Sequence, residues 1–474
     1  MTLADRPVAQ RTLAEELGAF AAGFRLDEHA HATLIERVRW HVLDAVGLAL
    51  SSWTAEDGFA QTLLRAQGGD ASGGPSTIIG SDRRASPRVA AFMNGSLIHG
   101  ADFDDVDLRT VMHCEAFSTA SLLALCERDA RSGRDLVEAW IVAAEVALRL
   151  ASGANGSGGL FSAGFHNSAV FGTFGVAAGV SRLLGLGAGQ AANALALAAS
   201  FTSGTSVGWL DGSGRNKPPQ AGWAAQSGMF AAMLAAEGYT CSLRTLDAPR
   251  GAFDAHAWRD GWTREPILEG LGEDWRLLGL AVKLYPCGAM IQATAECADV
   301  LRNVHGVRPE EIISGRVVVP EQFWQVVEDM GDSLYRPPSG FTSIGSFPCV
   351  AARILLDGHY GLEHQTDAAV RDPAMLAIAD RLEMAPDPDH DHLPLDERPA
   401  TITLQTTRGT FTHSVGIEAG QPGRLTEDRI TAKFRRNAGL LVDADRVAAI
   451  EAAVARLDAL ARIDELTPLL AQAR

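Results

Sequence analysis

Two kinds of side chain that could do acid–base chemistry crowd into one short stretch of this sequence. His99-Gly-Ala-Asp102-Phe-Asp104-Asp105-Val-Asp107 is followed by His113, placing four carboxylates within six residues between two imidazoles. Carboxylates that close repel one another, so the fold must compensate them. Three readings follow from the residues alone. The run is a solvated acidic turn that caps the next helix, or an Asp-rich magnesium site, or a turn in which one or two aspartates orient a catalytic His or Lys. Two further segments carry imidazole and cations. Gly164-Phe-His166-Asn167 follows a glycine-rich stretch that matches neither nucleotide-binding spacing. Arg215-Asn-Lys217-Pro-Pro-Gln220 sets two cations on a constrained loop at a helix start, a suitable receptor for a carboxylate, although an ordinary surface loop has the same composition. Lys283-Leu-Tyr285-Pro286-Cys287 forms a fourth cluster, catalytic or a packed hinge.

The elements that must position these groups are mostly helices. Leu34, Val38, Val42, Ala45 and Leu48 recur at helical spacing, and similar patterns run through 116–129, 135–152, 168–185, 188–201 and 220–237. The stretches around 168–201 are rich in Ala, Gly and Val, which predicts central helices packed backbone to backbone. After about residue 265 the character changes. Ile312–Val319 reads as a strand, and 401–415 alternates around Gly409 as a hairpin, with helical pieces at 287–303 and 345–357. The expected fold is mainly α: a helical domain over 1–268, a smaller α+β lid over 269–425, and C-terminal helices over 426–474 that pack back on the first domain. The acidic DPDHDH tract at 387–392 reads as an exposed lid loop, because no element fixes its geometry as a metal site.

Composition narrows the function. A formal net charge of −17 argues against nucleic acid, whose phosphates need a concentrated basic surface. No apolar run is long enough to cross a membrane, and the first residues lack the pattern of a secretory signal. Six scattered cysteines without paired spacing fit reduced thiols in a cytoplasmic protein.

In order, the stretches HGADFDDVD…H, GFHNSAVFGTFGVAAGVSRLLGL, KPPQAGWAAQSG…LAAEG, KLYPC and LT…ITAKFRRNAG resemble the MmgE/PrpD family across about residues 30–460. That family includes 2-methylcitrate dehydratase, cis-aconitate decarboxylase and iminodisuccinate epimerase. The resemblance implies a helical domain with an α+β lid, a homodimer, and a site between the domains that needs no metal or organic cofactor. It places catalytic roles on Asp102, His113, His166 and Lys217. Arg215, Gln220, Lys283, Tyr285 and Gln292 are expected to bind the substrate. Cys114 stands where the family often has Pro, Gln292 (or Gly288, depending on alignment) where it often has His, and Cys349 where the decarboxylase keeps a Tyr.

The reaction so implied is cofactor-independent proton transfer beside a carboxylate of a small di- or tricarboxylic acid, as in 2-methylcitrate dehydration. Epimerisation of an aminodicarboxylate such as iminodisuccinate, and a catalytically inactive carboxylate-binding homologue, are the alternatives. Lys217, helped by Arg215, is expected to hold the developing charge. His113 or His166 is expected to move the proton, with Asp102 fixing its tautomer.

Overall fold

A computed structural model describes residues 11–154, 164–207, 215–256, 261–387, 397 and 399–472. Most of the glycine-rich stretch before Gly164, residues 212–214, and all of the DPDHDH tract beyond Asp387 lie outside the described residues.

The apolar residues collect in two large cores. The first is built from helices between Leu13 and Val282 and closed by residues 425–470 of the tail. At its centre the helix Asn167–Leu183 packs against Gly133–Gly153, Lys217–Ala236 and Cys114–Arg128. Small residues allow this closeness. A Cβ at Gly175 would lie 2.4 Å from the Ala143 carbonyl oxygen, and one at Gly222 would lie 2.2 Å from that of Phe92. Any larger residue at either point would force the helices apart.

The second core joins residues from Cys287 to Val415. Its sheet runs in the order Leu382–Asp387, Ile312–Pro320, Ala400–Thr406, Gly409–Val415. The first pair is parallel and the other two are antiparallel. The helix Gln292–Asn303 packs on this sheet, with Phe347–Asp357 beside it. The hairpin turns at Gly409, whose φ of +121° is open to glycine but strained for most other residues. The strand Leu382–Asp387 is a difference from the sequence reading, which has no strand there and places Asp387 in a loop. Pro386 is accommodated because Leu382–Asp387 lies at the sheet edge.

One small element ties the two parts together at the acidic turn. Asp105–Val106 pairs antiparallel with Ala281–Val282, with Asp105 opposite Val282. Lys283 therefore emerges beside the aspartates, although 181 residues separate it from Asp102.

Candidate functional site

Three helix N-termini meet at the site. His113 is the N-cap of Cys114–Arg128, His166 is the N-cap of Asn167–Leu183, and Lys217 is the first residue of Lys217–Ala236. Each end carries partial positive charge, which favours an anion and a neutral imidazole, although Pro218 and Pro219 offer no N–H and the Glu115 N–H already donates to the Asp105 carboxylate. Local contacts lock the arrangement. The His113 backbone N–H donates to Ser168 Oγ at 2.8 Å, and the His166 N–H donates to the Gly204 carbonyl at 3.1 Å.

The acidic turn is buried and divides its labour. Asp102, with a left-handed φ of +50°, turns its carboxylate towards two lysines. Lys217 Nζ and Lys283 Nζ each donate to Asp102 Oδ1 at 2.5 Å, and Lys283 also donates to the Asp102 carbonyl at 3.1 Å. Asp104 lies beside the histidines, with Lys283 Nζ 3.8 Å from its Oδ1. His99 Nδ1 lies 2.6 Å from Asp104 Oδ2, and His113 Nδ1 lies 3.6 Å from Asp104 Oδ1. The expectation that Asp102 fixes a histidine tautomer is therefore corrected: Asp104 is the carboxylate beside the imidazoles, and Asp102 is the counter-ion of two ammoniums.

Hydrogen bonds settle the tautomers. His113 Nδ1 lies 2.6 Å from the Asp105 carbonyl, which can only accept, so Nδ1 carries the proton. His166 Nδ1 lies 2.9 Å from Gln220 Oε1, while Gln220 Nε2 donates to the Thr205 carbonyl at 2.8 Å. Nδ1 of His166 is thus the donor, and its Nε2 keeps a lone pair. Among the described residues that Nε2 has no hydrogen-bond partner, and neither has His99 Nε2. A cavity of ≈ 40 Å³ is lined by Val111, His113, His166, Thr205, Ser206, Lys217 and Gln220.

Burial shapes the protonation states. It pushes His113 and His166 well below the usual imidazole range, and the nearby cations add to the effect, Lys217 foremost. Lys217 is lowered by burial, against the pull of Asp102, with Lys283 lowering it further. Lys283 is raised: burial works against its charge, but Asp102 and Asp104 outweigh it. Burial likewise opposes ionisation of Asp102, yet Lys217 and Lys283 hold it well below the ordinary carboxylate range.

Four groups of side chains among the described residues have the composition of a metal centre, and two of them lie at this site: His99 with His113 and His166, and Asp102 with Asp104 and His113, whose nitrogen and oxygen atoms fall within 4.8 Å of one another. The three imidazoles each bond a neighbour through Nδ1, with the His99 and His166 rings 5.6 Å apart and 15° from parallel. Both aspartates already neutralise lysines or bond histidine.

The remaining expected site residues lie elsewhere. Arg215 forms an ion pair with Asp57, donates to the Gly100 carbonyl at 2.8 Å, and sits between the rings of Phe59 and Phe341 at 4.6 and 4.5 Å. It bridges helical part and lid. Gln292 ties a turn together: its Oε1 accepts from the N–H groups of Leu284 and Tyr285 at 3.0 and 3.2 Å, and its Nε2 donates to the Tyr285 and Cys287 carbonyls at 2.8 and 3.1 Å. Tyr285 packs against the lid core, and Cys349 is buried inside it. His99 and Asp104 are site residues that the sequence reading leaves unassigned, although both stand in the acidic motif. A His at a helix end, five residues before an Asp, was the available signal.

Two histidines and a lysine around one cavity have the composition of an acid–base site. The MmgE/PrpD N-terminal domain matches residues 15–265 and the MmgE/PrpD C-terminal domain matches residues 285–459; the chain belongs to the MmgE/PrpD family. It is 28% identical to a cis-aconitate decarboxylase of Homo sapiens over 93% of this chain and 91% of that one. It is 24% identical to a cis-aconitate decarboxylase of Aspergillus terreus over 98% and 96%, respectively. With the cis-aconitate decarboxylase-like protein oryM of Aspergillus oryzae it shares 25% identity over 83% of this chain and 84% of the relative. No helix among the described residues is long and apolar enough to cross a membrane.

Proposed function

We propose that this chain is a lyase that acts on a small di- or tricarboxylic acid by breaking a bond beside a carboxylate and moving a proton. The observation that carries this reading is the shared cavity of Lys217, His113 and His166, in which an ammonium faces two neutral imidazoles. Losing CO2 or an α-proton leaves an electron pair that must flow into a neighbouring carboxylate. Lys217 and the helix N-termini stabilise that charge without waiting for water to reorganise. In dehydration the His166 Nε2 lone pair accepts the proton and the imidazolium so formed gives it to the departing hydroxyl, which leaves as water; in decarboxylation the proton that takes the place of CO2 comes from solvent through the same nitrogen. His113 stands second in line, with its Nε2 freed by the bond to the Asp105 carbonyl.

Arg215 and Gln292 support the reaction indirectly, as a bridge to the lid and a brace for Lys283-Leu-Tyr285. The cavity is water-sized, so substrate entry requires a movement that enlarges it. The relatives favour decarboxylation or dehydration of a tricarboxylic acid over epimerisation. A panel of aconitate-like, citrate-like and aminodicarboxylate acids, followed by NMR in deuterated water, tests the reading. Loss of CO2 or water from a tricarboxylic acid is the expected result. Deuterium uptake with inversion and no bond cleavage would replace the lyase by an epimerase. Binding of an acid without exchange or cleavage would make the protein a carboxylate-binding homologue.

A further inference from the structure

The acidic turn is held from behind by a residue far away in the chain. Lys433 lies on the helix Glu427–Ala438, which packs against Ala32–Ser51, and its side chain is 2% exposed. Its Nζ donates to Asp44 Oδ2 at 2.6 Å and to the Phe103 carbonyl at 2.6 Å. The same ammonium sits 4.0 Å from the centre of the Phe103 ring. Phe103 separates the two aspartates of the site, and its carbonyl belongs to the peptide that continues into Asp104. The residue before it, Asp102, has the sparsely populated φ of +50°, a conformation that persists only when its surroundings fix it.

We propose that Lys433 is a positioning residue for the active site: by gripping the Phe103 carbonyl it keeps Asp102 turned to the lysines and Asp104 turned to the histidines. A buried ammonium needs strong compensation. Asp44 alone would supply the charge, but the second bond, to a backbone carbonyl of the site turn, gives the tail a hold on site geometry. Without that bond the peptide after Phe103 is free to rotate, which moves Asp104 away from His99 and His113. The chemical part of this inference rests on the lyase reading above; the geometric part does not.

The test compares Lys433→Met with the double variant Asp44→Asn/Lys433→Met, in which no unpaired charge remains buried and folding is preserved if the single variant fails. Two readouts are taken: histidine ring ¹⁵N NMR on the whole chain without substrate, and kcat and KM on the acid identified by the panel. In the folded variants the His99 and His113 ring signals shift, and kcat falls roughly 10-fold or more with KM within about threefold, as expected for displaced groups rather than lost binding. Wild-type histidine signals in the double variant would overturn the proposal whatever the substrate proves to be. Shifted signals with an unchanged kcat would overturn the catalytic part and point to the lyase roles of Asp104 and its histidines as the mistaken premise. A melting temperature lowered alone, with both readouts unchanged, would make Lys433 merely structural.

Discussion

The helical side of the cleft and the lid side differ in what they bury. On the helical side Asp102, Asp104, His99, His113, His166 and Lys217 are almost wholly removed from solvent, and each ionisable group has a partner or faces the cavity. On the lid side the polar residues turn inward for structure: Gln292 braces the turn at 284–287, and Cys349 sits in the apolar core with its Sγ near the carbonyls of Leu334 and Tyr335. The junction contributes Lys283, carried on a short strand paired with the acidic turn. The difference teaches that charge is assembled on the rigid bundle, where helix ends and close packing fix geometry.

Substitutions can break this contrast. The largest effect is expected at Lys217→Ala, which removes the ammonium from the cavity. Steady-state kinetics should show kcat/KM lowered by about 10²-fold or more with the fold intact by circular dichroism. A loss under threefold would move the anion site elsewhere.

Asp102→Asn removes the carboxylate shared by two buried ammoniums, leaving Lys283 only the longer pair with Asp104, and should cost about 3–5 kcal/mol of stability at neutral pH by denaturant melts. The pH dependence has a definite sign. Because Asp102 is held below its unfolded value of about 4, its contribution is fully present above that value and fades as pH falls below it. The variant should therefore lose less stability than the wild type between neutral pH and strong acid. Parallel acid limbs for the two proteins would refute the ion-pair assignment.

The pH–rate profile sharpens the same point. His113 and His166 are depressed, so they stay unprotonated well below the ordinary imidazole value of about 6.5. The acid limb of kcat/KM should lie below that value, and an alkaline limb from Lys217 should begin earlier than for an exposed lysine. A limb centred on the ordinary imidazole value would mean solvent-exposed histidines. On the lid side, Gln292→Ala should lower stability by about 1–3 kcal/mol through unpaired backbone groups, and turnover by much less than Lys217→Ala does.

Much of this was legible in the residues. Apolar periodicity located the buried helices, and alternation around Gly409 located the hairpin, because both follow from local burial on one face. His113, His166 and Lys217 could be picked out, since cations and imidazoles at Gly- or Pro-flanked helix starts are chemically conspicuous. What stayed hidden depends on distant pairing. No local pattern joins Asp102 to Lys283 or Asp44 to Lys433, and a lysine in the charged helix ITAKFRRNA reads as solvated until the tail is packed. Asp102, and not Asp104, was expected beside the histidines for the same reason: no local pattern says which carboxylate of the run meets which partner. The strand at 382–387 escaped because Pro386 and Asp387 resemble loop residues, and only pairing with Ile312–Pro320 makes them a strand.

The most direct test of the division between the two sides is the rate of product formation by His113→Ala set against that of Cys349→Ala, on one substrate and at one pH. The expected result is loss of about 10²-fold or more for His113→Ala and a change under about threefold for Cys349→Ala, as for a volume change in a core remote from the chemistry. An inactive Cys349→Ala beside an active His113→Ala would place the chemistry on the lid and contradict the account.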